Sequence, residues 1–135
     1  MAQYDVIIIG AGPGGYVCAI RCAQLGLKTA CVELEKALGG TCLRVGCIPS
    51  KAMLESSEHF LAANKHLKEH GVIVSDVQLD LPRTLKRKDK IVRQLTNGIG
   101  FLFKKNNVKR FHGRGALTGC KDGLHGVSVS EGDDA

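Results

Sequence analysis

Apolar positions along the chain follow three patterns. Residues 4–9, YDVIII, form a short continuous apolar run, rich in β-branched side chains and closed by Gly10. Such a run predicts a strand buried on both faces of a parallel sheet. Residues 14–25, GGYVCAIRCAQL, change to helical spacing and stop at Gly26, a natural C-terminal cap. Gly15, Ala19 and Ala23 recur every fourth position there, so one stripe of this helix is small enough to approach a neighbouring backbone. KTACVE, residues 28–33, predicts a second buried strand and completes a β-α-β unit.

Beyond residue 50 the pattern turns polar and helical. One helix is predicted from Ser50 to a stop at Gly71, and a second from about Leu81 to Asn107, with Pro82 in the first turn, where a proline is tolerated. Ile91, Leu95, Ile99 and Leu102 give the second helix a packing face, and the two should form an antiparallel pair. VKRFHGRG, ALTG and GVSVS then predict short strands broken by glycines, a small β-meander. The expected fold is α/β: a Rossmann-like βαβ parallel sheet with a long helix pair inserted and the meander at the C-terminal end.

Chemistry enters first at Gly10-Ala11-Gly12-Pro13-Gly14-Gly15, where Gly10, Gly12 and Gly15 satisfy G-x-G-x-x-G between strand and helix. The first glycine permits a tight turn, the second lets backbone approach a pyrophosphate, and the third lets helix lie against strand. The phosphates would then meet the positive end of a helix. Glu33, at the end of the second strand, is placed to accept hydrogen bonds from ribose hydroxyls. An adenine dinucleotide is expected, although the motif by itself does not separate FAD from NAD.

Cys42 and Cys47 lie five positions apart, with Lys51 four positions further on. A permanent disulfide there would close a very short loop, where cross-link entropy is smallest. A structural zinc site needs four ligands; Cys18 and Cys22 are the nearest additions, on a helix that must also meet the sheet, and no metal is expected. Cys18, Cys22 and Cys31 read instead as small buried apolar residues. If the segment from Pro49 or Ser50 is helical, the Lys51 ammonium comes near the Cys47 sulfur, where a positive charge favours the thiolate. A reversible dithiol/disulfide couple suits this arrangement better than a staple or a clamp.

Composition bounds the rest. At 135 residues, 44% apolar and 24% charged, the chain has room for one globular core. No apolar run is long enough to span a membrane. The start lacks the pattern of a secretory or transit signal, so a cytoplasmic protein is expected. Six cysteines in such a setting favour catalytic over structural use. The net charge of +6 is concentrated between Leu81 and Phe111, where ten basic residues stand against Asp89 alone. Without a stacking platform or a nucleic-acid-binding motif, this segment is read as the solvated face of a helix, and no nucleic-acid partner is expected. His66 and His70, one turn apart, are likewise read as solvated.

GGTCLRVGCIPSKAML, residues 39–54, resembles the active-site segment of the FAD-dependent pyridine nucleotide-disulfide oxidoreductases. CLRVGCIPSKAML is most similar to the dihydrolipoamide dehydrogenase branch, whereas glutathione and mercuric reductases usually carry Val after the first cysteine and Val before the proline. QLTNGIGFLFKKNNV and the GRG at residues 113–115 extend the likeness along the chain. The resemblance implies that Cys42 exchanges with protein-bound dihydrolipoyl groups, that Cys47 faces the flavin, and that Lys51 lies near the flavin ring. It places FAD against Gly10, Gly12, Pro13, Gly14 and Gly15, then Glu33, Leu34, Gly40, Thr41, Cys42, Cys47 and Lys51, with a backbone contact from Gly115. Leu34 stands where the family often has a basic residue.

Electrons would pass from the dithiol to the 42/47 disulfide, to FAD and on to NAD. Implied partners are lipoyl domains of 2-oxo acid dehydrogenase or glycine cleavage complexes, and a second subunit of a homodimer. The family's second glycine fingerprint, its His-Glu pair and its A-T-G strand are not found in the sequence. Residues 1–135 are therefore expected to be the N-terminal part of a FAD-binding domain, without NAD-binding or interface domains and inactive alone. Two alternatives stay open: a non-catalytic dinucleotide-binding fragment, and the same portion of a glutathione- or mercuric-reductase-like enzyme.

Overall fold

The computed structural model describes residues 2–134. Strand β1 (Val6–Ile9) leads through the glycine loop into helix α1 (Pro13–Gln24), which returns to strand β2 (Thr29–Glu33). Two helices follow from the cysteine segment, α2 (Gly40–Arg44) and α3 (Cys47–Leu61), and then α4 (Leu81–Lys105). Strands β3 (Lys109–His112), β4 (Arg114–Lys121) and β5 (Leu124–Ser130) complete the chain.

β1, β2 and β3 form a parallel sheet in that order, with Val6 beside Thr29 and Glu33 beside His112. β2 is central and every one of its residues is buried. Cys31 points to the face that α1 and α4 cover, packing with Ala19, Ile99 and Phe103 in one cluster. On the opposite face the β4–β5 hairpin crosses the sheet. A Cβ added at Gly115 would stand 3.1 Å from both Ile9 and Val32, so a larger residue would push the hairpin off.

The expectations need four adjustments. β1 is half-buried, with Ile9 exposed, because among the described residues it forms an edge and has a strand on one side only. The meander divides: β3 joins the parallel sheet beyond β2, and only β4 and β5 form the antiparallel sheet. The helix from Ser50 begins earlier, at Cys47, and after Leu61 it widens into a π turn at Ala62–His66 and a 3-10 turn at Leu67–His70 before Gly71 ends it with φ +76°. The buried face of α4 is Thr96, Ile99 and Phe103 rather than the Leu95 and Leu102 flank, both of which are exposed.

The helix pair itself is antiparallel as expected. Ser56 on α3 meets Arg87 on α4, while Ala63 faces the same groove as Asp80, so ascending one helix descends the other. Asp80 caps α4 by accepting the Arg83 N–H at 2.9 Å. Most of the basic side chains of α4 are exposed.

Candidate functional site

The glycine loop turns immediately after β1. Gly10 adopts φ +96° and its N–H donates to the Val32 carbonyl at 2.7 Å, tying the turn to β2. α1 starts at Pro13, and its cap residue Gly12 offers no side-chain bond and its first turn no acid. The first N–H groups of a twelve-residue helix are thus left for an external anion. Gly15 explains the intimacy of the turn: a Cβ there would lie 1.8 Å from the Gly10 carbonyl oxygen.

Glu33 lies beneath this loop, 8% exposed. One carboxylate oxygen accepts the Ala11 N–H at 2.7 Å and the other the Glu35 N–H at 3.0 Å. Each oxygen has a second lone pair, so acceptor capacity remains for a ribose hydroxyl while the carboxylate also fastens the loop. The second duty was not visible in the sequence. Leu34 is 43% exposed beside it. Arg110 on β3 donates to the Glu35 and Lys36 carbonyls at 3.3 and 2.7 Å, and Arg44 pairs with Glu35 at 2.7 Å, so two cations hold the strand-to-α2 connection. No motif marked either arginine, because each acts on a connection outside its own element.

The cysteine segment is bound directly to the glycine loop. The Gly39 N–H donates to the Ala11 carbonyl at 2.9 Å. A Cβ at Gly40 would stand 2.6 Å from the Gly12 Cα, so α2 begins in backbone contact with the fingerprint. Gly39 and Gly40 both take positive φ, which glycine adopts without strain. From this junction α2 carries Thr41, exposed, and Cys42, half-buried; α3 opens with Cys47 and carries Lys51 one turn later, both exposed.

Cys42 and Cys47 are free thiols. The neighbouring Cys47 side chain holds the Cys42 thiol above its ordinary range, with burial adding to the effect. The Cys47 backbone and the Lys51 ammonium pull the other way and are outweighed. Lys51 therefore acts on the Cys42 thiol.

The three remaining cysteines of the βαβ unit separate. Cys31 is fully buried, and burial first, then the Glu33 charge, pushes its thiol up to about 12. Cys22 is half-buried and Cys18 is exposed, which corrects the reading of all three as core residues. Helical phase carried the signal, since both sit one residue off the Ala19/Ala23 stripe.

Among the described residues no helix is long and apolar enough to cross a membrane. The family model for pyridine nucleotide-disulphide oxidoreductases matches residues 4–130. The chain is 54% identical to a dihydrolipoyl dehydrogenase of Cupriavidus necator over 87% of its length, and 59% identical to mitochondrial dihydrolipoyl dehydrogenase 2 of Arabidopsis thaliana over 82%. It is also 50% identical to a leghemoglobin reductase of Glycine max over 98%. These alignments cover 26%, 22% and 25% of the respective relatives, so the chain spans about a quarter of their length. By its glycine loop, its thiol segment and these matches, the chain belongs to the pyridine nucleotide-disulphide oxidoreductase family.

Proposed function

We propose that the chain is the FAD-binding, redox-thiol portion of a dihydrolipoamide dehydrogenase. The observation that carries the reading is the Gly12–Gly40 contact, which seats the thiol segment on the dinucleotide loop. A dinucleotide held at the α1 N-terminus by its phosphates and at Glu33 by its ribose would extend along that junction toward Cys47 and Lys51. The site fits FAD on its own features: uncapped N–H groups, backbone bared at the glycines, and a buried carboxylate with spare lone pairs. Bound FAD would supply the two-electron acceptor for the Cys42–Cys47 dithiol, with NAD as the final acceptor of the full enzyme.

The thiol step exchanges the two substrate sulfurs with the two sulfurs of this chain. A dihydrolipoyl thiolate attacks Cys42 of the oxidised pair, Cys47 leaves as a thiolate, and a mixed disulfide forms. The second substrate thiol then displaces Cys42, so the substrate leaves as a disulfide and the pair is left reduced. The raised Cys42 thiol keeps its proton in the reduced pair, so a base must assist proton movement there. The described groups acting on that thiol are Cys47 and Lys51, with no histidine among them. We assign that base to the second subunit of a homodimeric full enzyme that serves lipoyl domains. The cytoplasmic setting belongs to the same proposal, and differs from that of the mitochondrial dihydrolipoyl dehydrogenases of Arabidopsis thaliana and Schizosaccharomyces pombe.

The similarity to a leghemoglobin reductase favours a second reading, in which the same couple and cofactor deliver electrons to a protein-bound metal centre. One experiment tests the common core. Purified chain is titrated with FAD under nitrogen, followed by one equivalent of dihydrolipoamide. Flavin fluorescence should be quenched and a long-wavelength absorbance band should appear, and Cys47→Ser should remove the band. If neither flavin binding nor a band is seen, the reading is wrong for this chain.

A further inference from the structure

Helix α1 carries a second sulfur pair that the thiol couple does not use. The Cys18 and Cys22 Sγ atoms lie 3.9 Å apart on the flank of the helix, outside the stripe that meets the sheet. A tetrahedral d10 cation with metal–sulfur bonds of about 2.3 Å holds two of its sulfurs about 3.8 Å apart. The two side chains therefore already span one edge of such a polyhedron, without backbone movement.

A disulfide fits the same place poorly. Cβ atoms one turn apart on a helix are about 5–6 Å from each other, whereas a disulfide draws them to about 3.5–4.5 Å. We propose that Cys18 and Cys22 form an exchangeable site for a thiophilic d10 divalent cation, zinc or cadmium, with the remaining positions taken by water or an external thiol. Among the described residues no cluster of three or more His, Cys, Asp or Glu side chains is arranged to hold a metal. The site therefore has two protein ligands and is open to exchange, unlike the closed four-ligand sites that hold folds together.

Binding releases the two thiol protons, so uptake strengthens as pH rises. Nothing here depends on flavin binding or on the reactivity of Cys42 and Cys47.

The test titrates Cd2+ into the full chain carrying Cys42→Ser and Cys47→Ser, under a thiol-free reductant, following ultraviolet sulfur-to-cadmium absorbance and proton release. A saturable band is expected, with two protons released per ion. Adding Cys18→Ala, at an exposed position, should weaken binding roughly tenfold or more, equivalent to about 1.4 kcal/mol. Cys120→Ser should leave the titration unchanged. Absence of a saturable band, or a band indifferent to Cys18→Ala, would overturn the proposal.

Discussion

Gly15 has no room for a side chain, since even a methyl group would lie 1.8 Å from the Gly10 carbonyl oxygen. Gly15→Ala should therefore force α1 away from β1 and cost upwards of about 3 kcal/mol, beyond ordinary overpacking. Urea denaturation measures this directly, and a loss below about 1 kcal/mol would show that the loop yields easily. Cys31 gives a prediction in pH. Its folded pKa is about 12 against an ordinary 9.0, so the folded state retains a proton that the unfolded chain releases. This contribution is fully present below pH 9, declines as pH rises between about 9 and about 12, and is lost above that. The slope is about 1.4 kcal/mol per pH unit. Cys31→Ala should remove that slope from an alkaline stability profile, whatever its baseline cost. The glycines and Glu33 were legible in the sequence because each has a spacing rule behind it. Arg44 and Arg110 were not, since neither an exposed ion pair nor a carbonyl acceptor on a loop follows a spacing rule.

At the scale of elements, continuous apolar runs identified β1 and β2, and the small-residue stripe identified the sheet-facing side of α1. The face of α4 was harder, because apolar residues surround much of its C-terminal half and periodicity alone does not choose among them. Packing against α1 and α2 selects Ile99 and Phe103. Parallel pairing of β3 was hidden for a similar reason: KRFH is short and polar, and what recruits it is the open edge of β2. Arg87 links α3 to α4 through the Ala52 carbonyl at 3.1 Å, the Ser56 hydroxyl at 3.4 Å and the Glu55 carboxylate. Hydrogen bonding and charge from Arg87 hold the Glu55 carboxyl below its usual 4.5. That stabilisation is present above pH 4.5 and is lost as pH falls through the lowered folded value. Arg87→Ala should lower the melting temperature near neutrality, and the gap from the unaltered chain should close in acid. Salt should narrow it as well, because the pair is exposed.

Across the whole molecule, two separable couplings build the site. Pairing of Cys42 with Cys47 is local, set by the turn between α2 and α3, where a Cβ at Gly46 would lie 2.9 Å from the Thr41 carbonyl oxygen. Attachment of that pair to the dinucleotide loop is long-range and rests on the Gly39–Ala11 hydrogen bond and the Gly12–Gly40 backbone contact. A substitution at Gly40 divides the two, because its φ of +61° and its 2.6 Å clearance from the Gly12 Cα both resist a side chain, while the α2–α3 turn lies beyond it. In Gly40→Val, α2 should lift from the glycine loop and FAD affinity should fall roughly tenfold or more, a change of about 1.4 kcal/mol or greater. Formation of the Cys42–Cys47 disulfide in a glutathione redox buffer, followed by mass spectrometry after thiol alkylation, should stay close to that of the unaltered chain. If both properties were lost together, the thiol pair would depend on the dinucleotide loop for its own geometry. If neither changed, the Gly12–Gly40 contact would have no part in holding the flavin.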